Sequence, residues 1–229
     1  MATNKDLEVG EIVSKSEQFI EKNSRKIIYG IIAITVVVGA YLGFRYGYTI
    51  PRENEATEAM FKGEYFFSVD SFVLALNGNG MDFAGFEAIA NDYSGTAAGN
   101  LAKAYTGICY FKLGDNESAI KHLKSFNGKD KVVSPAIIGL IGDCYVNSGN
   151  IKEGINYFEK AAERAAGKIS ENNIISPIYL KKAGIAYESL QQYQEAVKVY
   201  TTIKEKYFSS TEASDIDKYI ARATELGKL

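Results

Sequence analysis

Polar and apolar positions are distributed very unevenly along this chain. Residues 1–26 carry both signs of charge, and residues 27–44 then read IIYGIIAITVVVGAYLGF without a single charge. Arg25 and Lys26 precede the run and Arg45 follows it. A helix of about 18 residues is about 27 Å long, the lower limit for crossing a bilayer's hydrocarbon core. Tyr41, Phe44, Tyr46 and Tyr48 suit an interfacial belt, and Arg45 can reach back toward headgroups. A buried core helix would normally be shorter and would show a polar stripe. The pattern therefore predicts a transmembrane helix over 27–48. Before it, Ile12, Val13, Ser16, Phe19 and Ile20 recur at helical spacing, which predicts a short amphipathic helix in the tail 1–26.

Beyond residue 50 the apolar positions follow a helical period, and the pattern repeats. Segments 100–126, 135–162 and 177–203 align with one another. In each, a glycine is followed three residues later by tyrosine: Gly107/Tyr110, Gly142/Tyr145 and Gly184/Tyr187. A small residue stands twelve after that glycine (Ala119, Gly154, Ala196), and a bulky apolar one four further on (Leu123, Phe158, Tyr200). The small residues would let two helices approach closely, while the tyrosine and the bulky residue fill the space between pairs. Turn signals fall between the two helices at Leu113-Gly114-Asp115, Ser148-Gly149-Asn150 and Leu190-Gln191-Gln192, the last without its glycine. The glycines are spaced by 35 residues from 107 to 142 and by 42 from 142 to 184, so an insertion is expected near 167–173. The segment 86–93 matches 200–207, aromatic for aromatic and Ile89 for Ile203, and its partner helix would run over 51–76 to the Asn77-Gly78-Asn79-Gly80 stop. Pro51, Pro135 and Pro177 all fall where a helix would start, as in an all-helical chain.

These residues and spacings resemble the tetratricopeptide repeat family, whose period is about 34 residues. The resemblance covers about 86–210 and lacks the family's early tryptophan. It implies an all-α chain in which a single N-terminal transmembrane helix is followed by a helix-pair repeat solenoid. The repeat domain would occupy 51–229: a half-matched pair over 51–93, repeats over about 100–133, 135–168 and 177–210, and a solubilising cap helix over 211–226. In such arrays the first helix of each pair lines a groove that receives a peptide or partner helix. By register, Tyr105, Ile108, Lys112, Asp143, Asn147, Lys181, Lys182 and Glu188 would point into it. The carboxylate-clamp pattern is absent, because Ala104 and Ile108 stand where lysine and asparagine would be needed.

Composition narrows the chemistry. The net charge is −2, with hydrophobic residues at 46% and charged residues at 24% of 229, so no basic surface advertises nucleic acid. Cys109 and Cys144 occupy equivalent positions of neighbouring repeats, about 9–10 Å apart at helix-packing distance, too far for a disulfide. Two free buried thiols are expected. One histidine, His122, placed at the surface by register, cannot form a zinc set with them. No HExxH, GxSxG or Walker-type loop is present, and Gly78-Asn79-Gly80 lacks the strand and third glycine of a phosphate loop. The expectation is a non-enzymatic protein with no cofactor, no metal and no small-molecule substrate.

The order of parts carries a second resemblance. Phe19-Ile20-Glu21-Lys22-Asn23, one span ending in Gly43-Phe44-Arg45-Tyr46, and then repeats is similar to the ancillary subunit of the bacterial Sec translocon. That resemblance implies a periplasmic domain, Sec translocon subunits and a membrane-anchored peptidyl-prolyl isomerase-like chaperone as partners, and help in passing translocated chains to chaperones. Lys15, Lys22, Arg25 and Lys26 against Arg45, Arg52 and Lys62 favour a cytoplasmic tail, hence a single-pass inner-membrane protein. Val38-Gly39-Ala40 loosely suits signal cleavage, but apolar residues continue past it, so an uncleaved anchor is expected. The repeat endings Ala90-Asn91-Asp92-Tyr93 and Lys204-Glu205-Lys206-Tyr207 also resemble envelope-assembly repeat proteins. That leaves a scaffold or regulatory subunit of outer-membrane or cell-wall assembly as the alternative.

Overall fold

A computed structural model describes residues 4–166 and 173–228, with the backbone alone over 4–18. Every regular element among the described residues is helical. The chain divides into two units, Met1–Arg52 and Glu53–Leu229.

The first unit is built on helix α1 (Asn4–Phe44), which passes into a π-helical turn over Arg45–Thr49. Side chains along the apolar run are solvent-facing, with Ile34 66% and Val37 67% exposed. This helix is long and apolar enough to cross a membrane. The backbone of the tail from Asn4 is helical and leads directly into the apolar run within α1; the side chains of Ile12, Val13 and Ser16 lie outside the described residues. Helix α2 (Ile50–Ser68) follows the π turn directly, and Pro51 sits within this helical run instead of opening it. Proline cannot donate an N–H and its ring crowds the preceding turn. The wider turn before it, closed by Ile50 N–H donating to the Arg45 carbonyl, relieves that crowding. Phe44 and Tyr48 stack at 5.2 Å there, and Arg52 lies over the Tyr48 ring at 5.7 Å.

In the second unit the helix expected over 51–76 is broken. Asp70 adopts a left-handed backbone (φ 57°), Ser71 N–H donates to the Phe66 carbonyl, and α3 (Phe72–Asn77) then begins. The following loop is closed by the Asn79 side chain, whose Oδ1 accepts from the backbone N–H of Met81, Asp82 and Phe83 at 3.0–3.1 Å. Lys62 on α2 pairs with Asp82 of the same loop. Helix α4 (Phe86–Asp92) completes the first, irregular pair. Three regular pairs follow: α5 (Ala97–Lys112) with α6 (Asn116–Ser125), α7 (Val133–Asn147) with α8 (Ile151–Ala166), and α9 (Ile175–Ser189) with α10 (Tyr193–Lys206). A 3-10 turn over Glu212–Asp215 leads into α11 (Ile216–Leu226). Most of the insertion expected near 167–173 lies outside the described residues.

Helix starts are capped by chemistry visible in the chain. The Thr96 hydroxyl accepts from Gly99 N–H at 2.9 Å, and Asp115 accepts from Ser118 N–H at 3.0 Å. A second cap on α5 comes from afar, since the Glu53 carboxylate of α2 accepts from Ala97 and Ala98 N–H at 2.6 and 2.9 Å. Burial opposes ionisation of Asp130, but bonds from the Ser134 hydroxyl and the Val132, Val133 and Ser134 amides outweigh it and hold the carboxyl at about 2.

The pairs close through one recurring contact. A Cβ added at Gly107 would lie 2.5 Å from Leu123, one at Gly142 would lie 2.7 Å from the Phe158 ring, and one at Gly184 would lie 2.6 Å from Tyr200 Cζ. The bulky residue of each repeat thus fills the notch left by the glycine of its own pair and also packs toward the next helix, Leu123 in a cluster with Ile137 and Ile141, Phe158 with Ala183 and Ala186, and Tyr200 with Ile216. Leu123, Phe158 and Tyr200 are almost wholly buried there. The repeat tyrosine reaches between pairs through its hydroxyl. Tyr110 donates to Glu87 of α4 at 3.1 Å, Tyr145 accepts from Lys124 of α6 at 2.6 Å, and Tyr187 donates to Glu159 of α8 at 2.8 Å.

Each turn within a pair has the same geometry. Gly114 and Gly149 are left-handed (φ 85° and 81°), and the next residue's N–H bonds back to the carbonyl of the repeat tyrosine. Gln191 occupies the equivalent place at φ 60° although it carries a side chain, and Gln192 N–H makes the same bond to Tyr187.

Two outcomes are expected. Gly142→Leu should lower the thermal midpoint of the detergent-solubilised chain substantially, since overpacking typically costs about 1–3 kcal/mol and here the neighbour is an aromatic ring. Gln191→Gly should raise stability by about 0.5–1 kcal/mol, the relief of a left-handed non-glycine residue less the entropy glycine adds to the unfolded chain. Circular dichroism melts of both variants against wild type check these values.

Candidate functional site

The first helices of the three regular pairs each carry a face that packing takes up only in part. Positions four and seven residues apart share a helical face, which groups Leu101, Tyr105 and Ile108 on α5, Ala136, Leu140 and Asp143 on α7, and Ile178, Lys182 and Ile185 on α9. Leu101, Ile178 and Ile185 are exposed at 38%, 37% and 47%. Between them runs an ion pair, because the Lys182 ammonium sits 2.7 and 2.8 Å from the two Asp143 oxygens and joins α9 to α7. Its charge also lies over the rings of Phe158 at 5.5 Å and Tyr179 at 5.9 Å. The face is therefore apolar at its margins with a half-exposed charge pair at its middle, an arrangement suited to apolar contact oriented by charge.

Of the eight residues predicted for this surface, the structure brings Asp143 and Lys182 together and leaves Asn147 exposed at the end of α7. Lys112 is exposed with its ammonium 5.8 Å above the Phe72 ring. Tyr105 is half-buried between aromatic neighbours, stacked on Phe86 at 4.6 Å and edge-on to Phe67 at 5.0 Å, and burial pushes its phenol up. Ile108 packs partly against the cluster around Ala119, Leu123 and Ile141. Two residues turn away from the others. Lys181 bonds Asp215 at 2.7 Å over the Tyr219 ring, and Asp215 with Tyr219 hold the ammonium above its ordinary range despite partial desolvation. Glu188 accepts from the Tyr200 hydroxyl at 2.6 Å and binds Arg222 of α11 through two bonds of 2.9 Å. Lys181 and Glu188 thus fasten the last repeat to the carboxy-terminal helix. Helical spacing carried upward from Tyr105 and Lys182 would have found Leu101, Ile178 and Ile185, which the sequence reading passed over.

Other candidate chemistry resolves into packing. Cys109 and Cys144 are free and buried in separate clusters, and burial pushes their thiols up to about 12 and about 11, which keeps them protonated and unreactive. His122 is not at the surface as expected. Only 13% of its side chain is exposed, its ring stacks on Tyr110, and Nε2 lies 3.5 Å from Glu87. Helix α6 turns it inward toward α4 and α5, next to the partners of the repeat tyrosine.

Comparison with known proteins agrees with this geometry. Residues 136–167 and 180–207 each match a family model described as tetratricopeptide repeat. The chain thus carries tetratricopeptide repeats within an all-helical solenoid. A Podosopora anserina protein described as having kinesin light chain nearly identical TPR-like repeats superposes over 77% of this chain and 88% of its own. Its TM-score is 0.56 at 13% identity. MamA protein does so over 76% and 92%, with a TM-score of 0.51 at 17% identity. These likenesses show the fold. No curated protein matches the chain in sequence. Repeats of this type are interaction scaffolds that bind other proteins.

Removing Glu188 is expected to be costly for stability. Glu188→Ala leaves the buried Tyr200 hydroxyl without its acceptor, at about 1–3 kcal/mol. Lys112→Ala should change stability by about 0.5 kcal/mol or less. Parallel thermal melts separate the two; equal midpoints would show that Glu188 fastens nothing.

Proposed function

We propose that this protein is a membrane-anchored interaction scaffold, with 1–26 as a cytoplasmic tail, 27–48 as the span and 51–229 as a periplasmic repeat domain. One observation carries the reading: an apolar helix with exposed side chains precedes a tetratricopeptide stack whose first helices α5, α7 and α9 carry part-exposed apolar residues. Burying bare apolar side chains is favourable by about 25 cal/mol per Å², so the 27–44 surface draws the chain into lipid. Tethering then confines the repeat face near membrane partners and raises its effective concentration without new contacts.

The partner class we infer is a protein of the export machinery. The resemblance at Phe19-Ile20-Glu21-Lys22-Asn23 and Gly43-Phe44-Arg45-Tyr46 supports an ancillary role at the Sec translocon, beside a peptidyl-prolyl isomerase-like chaperone, in handing translocated chains onward. In this role Tyr105, Ile108, Lys112, Asp143, Asn147 and Lys182 flank the bound segment, while Lys181 and Glu188 act through the frame. The repeat endings near Tyr93 and Tyr207 favour a second reading, a scaffold for envelope assembly.

Site-specific crosslinking tests this. A photoreactive residue at Ile185 and another at Val37 are introduced into the full chain in membranes, and captured proteins are identified. Translocon subunits or emerging chains captured from Ile185 support the proposal, and envelope-assembly enzymes there support the second reading. Capture from Val37 alone would mean that the repeat face is idle. The chain should also remain in the membrane pellet after carbonate washing, and release into the supernatant would sink the anchor.

A further inference from the structure

A second polar site lies away from the proposed docking face. Asn91 and Ser94 at the end of α4, Lys103 on α5, and Lys121, His122 and Ser125 on α6 surround an open cavity of about 330 Å³. Lys103 stands two residues from Tyr105 and therefore on another side of α5. No carboxylate lines the cavity, and neither Lys103 nor Lys121 forms an ion pair among the described residues. The hydrogen of the Ser125 hydroxyl is committed to the His122 carbonyl at 2.7 Å. The groups left to face a ligand are two ammoniums, the Asn91 amide, the Ser94 hydroxyl and the His122 imidazole, a set dominated by donors.

His122 is held for such a role. Tyr110 of α5 stacks on its ring at 5.4 Å, and Glu87 of α4 faces Nε2 at 3.5 Å while accepting from the Tyr110 hydroxyl. Lys121, its neighbour on α6, is the remaining charge acting on it. Burial, helped by Lys121 and opposed by Glu87, holds the imidazole below its ordinary range and so neutral near pH 7. An anion in the cavity would offset the burial and the Lys121 repulsion together.

We propose that this cavity binds a phosphate-type tetrahedral oxyanion from solution, with Lys103 and Lys121 supplying the charge and His122 taking up a proton when the anion binds. The site is independent of the docking face and stands or falls without it.

Sulfate is the probe, because it stays a dianion across the range in which histidine titrates. The full chain in detergent micelles, labelled with 13C-histidine, offers one reporter signal, since His122 is the single histidine. Sulfate is expected to shift that signal saturably and to raise the His122 pKa by roughly one unit, as an opposite charge nearby does. By linkage, sulfate should then bind roughly tenfold more tightly below both pKa values than above them. Lys103→Gln with Lys121→Gln should abolish saturation, whereas Lys198→Gln with Lys204→Gln, an equal change in charge, should leave it intact. His122→Gln, followed by calorimetry, should remove the pH dependence. The proposal is overturned if chloride at matched ionic strength reproduces the shift, if the Lys103/Lys121 variant responds like wild type, or if no saturation occurs. A phosphoserine peptide that binds where sulfate does not would also overturn it, by assigning the cavity to a protein partner.

Discussion

The close approach of two helices at a glycine is the constraint on which the repeat stack depends. At Gly107, Gly142 and Gly184 the second helix lays Leu123, Phe158 or Tyr200 where a Cβ would otherwise stand. No side chain larger than hydrogen fits without moving an aromatic ring or a branched aliphatic one. The notch sets the spacing within each pair, and the spacing decides which faces are left for neighbours. At the middle pair the arrangement is reciprocal, because Gly154 on α8 admits Val146 of α7 just as Gly142 admits Phe158. Interiors packed to this density transmit a misfit instead of absorbing it.

Within that frame the repeats are held to one another by polar contacts at equivalent places. The hydroxyls of Tyr110, Tyr145 and Tyr187 each reach the second helix of the preceding pair, though the partner is glutamate in two cases and lysine in the third. A tyrosine is suited to this position because its ring packs in the seam while its hydroxyl remains free to bond at the edge. Glu188 binds Tyr200 of α10 and Arg222 of α11, Lys181 with Asp215 reinforces this junction, and Ile216 and Ala223 pack against Ala196, Tyr200 and Ile203.

The two units meet opposite requirements. In Glu53–Leu229 apolar side chains are turned inward, into clusters centred on Phe86, Leu123, Phe158 and Tyr200. In Met1–Arg52 the side chains of the apolar run are exposed. Water is a poor solvent for such a surface, and the helix is compatible with a single-pass anchor in lipid.

Local pattern by itself determined the helical class, the pairing of helices, the turns at Gly114 and Gly149, and the uncharged run. All of these rest on interactions between residues a few positions apart, which periodicity and glycine placement report directly. It also pointed to two unpaired buried thiols, because equivalent positions in stacked repeats stand too far apart for a disulfide. Only the tertiary structure decided where long side chains go. Glu188 and Lys181 share the helix of Lys182, yet they turn to Arg222 and Asp215, residues more than thirty positions away. His122 turns inward because Glu87 and Tyr110 wait there, and helix α2 stops at Ser68 because the chain must fold back so that α3 can meet α5. Such choices depend on partners distant in sequence, and a helical period carries no information about which distant residue will stand opposite.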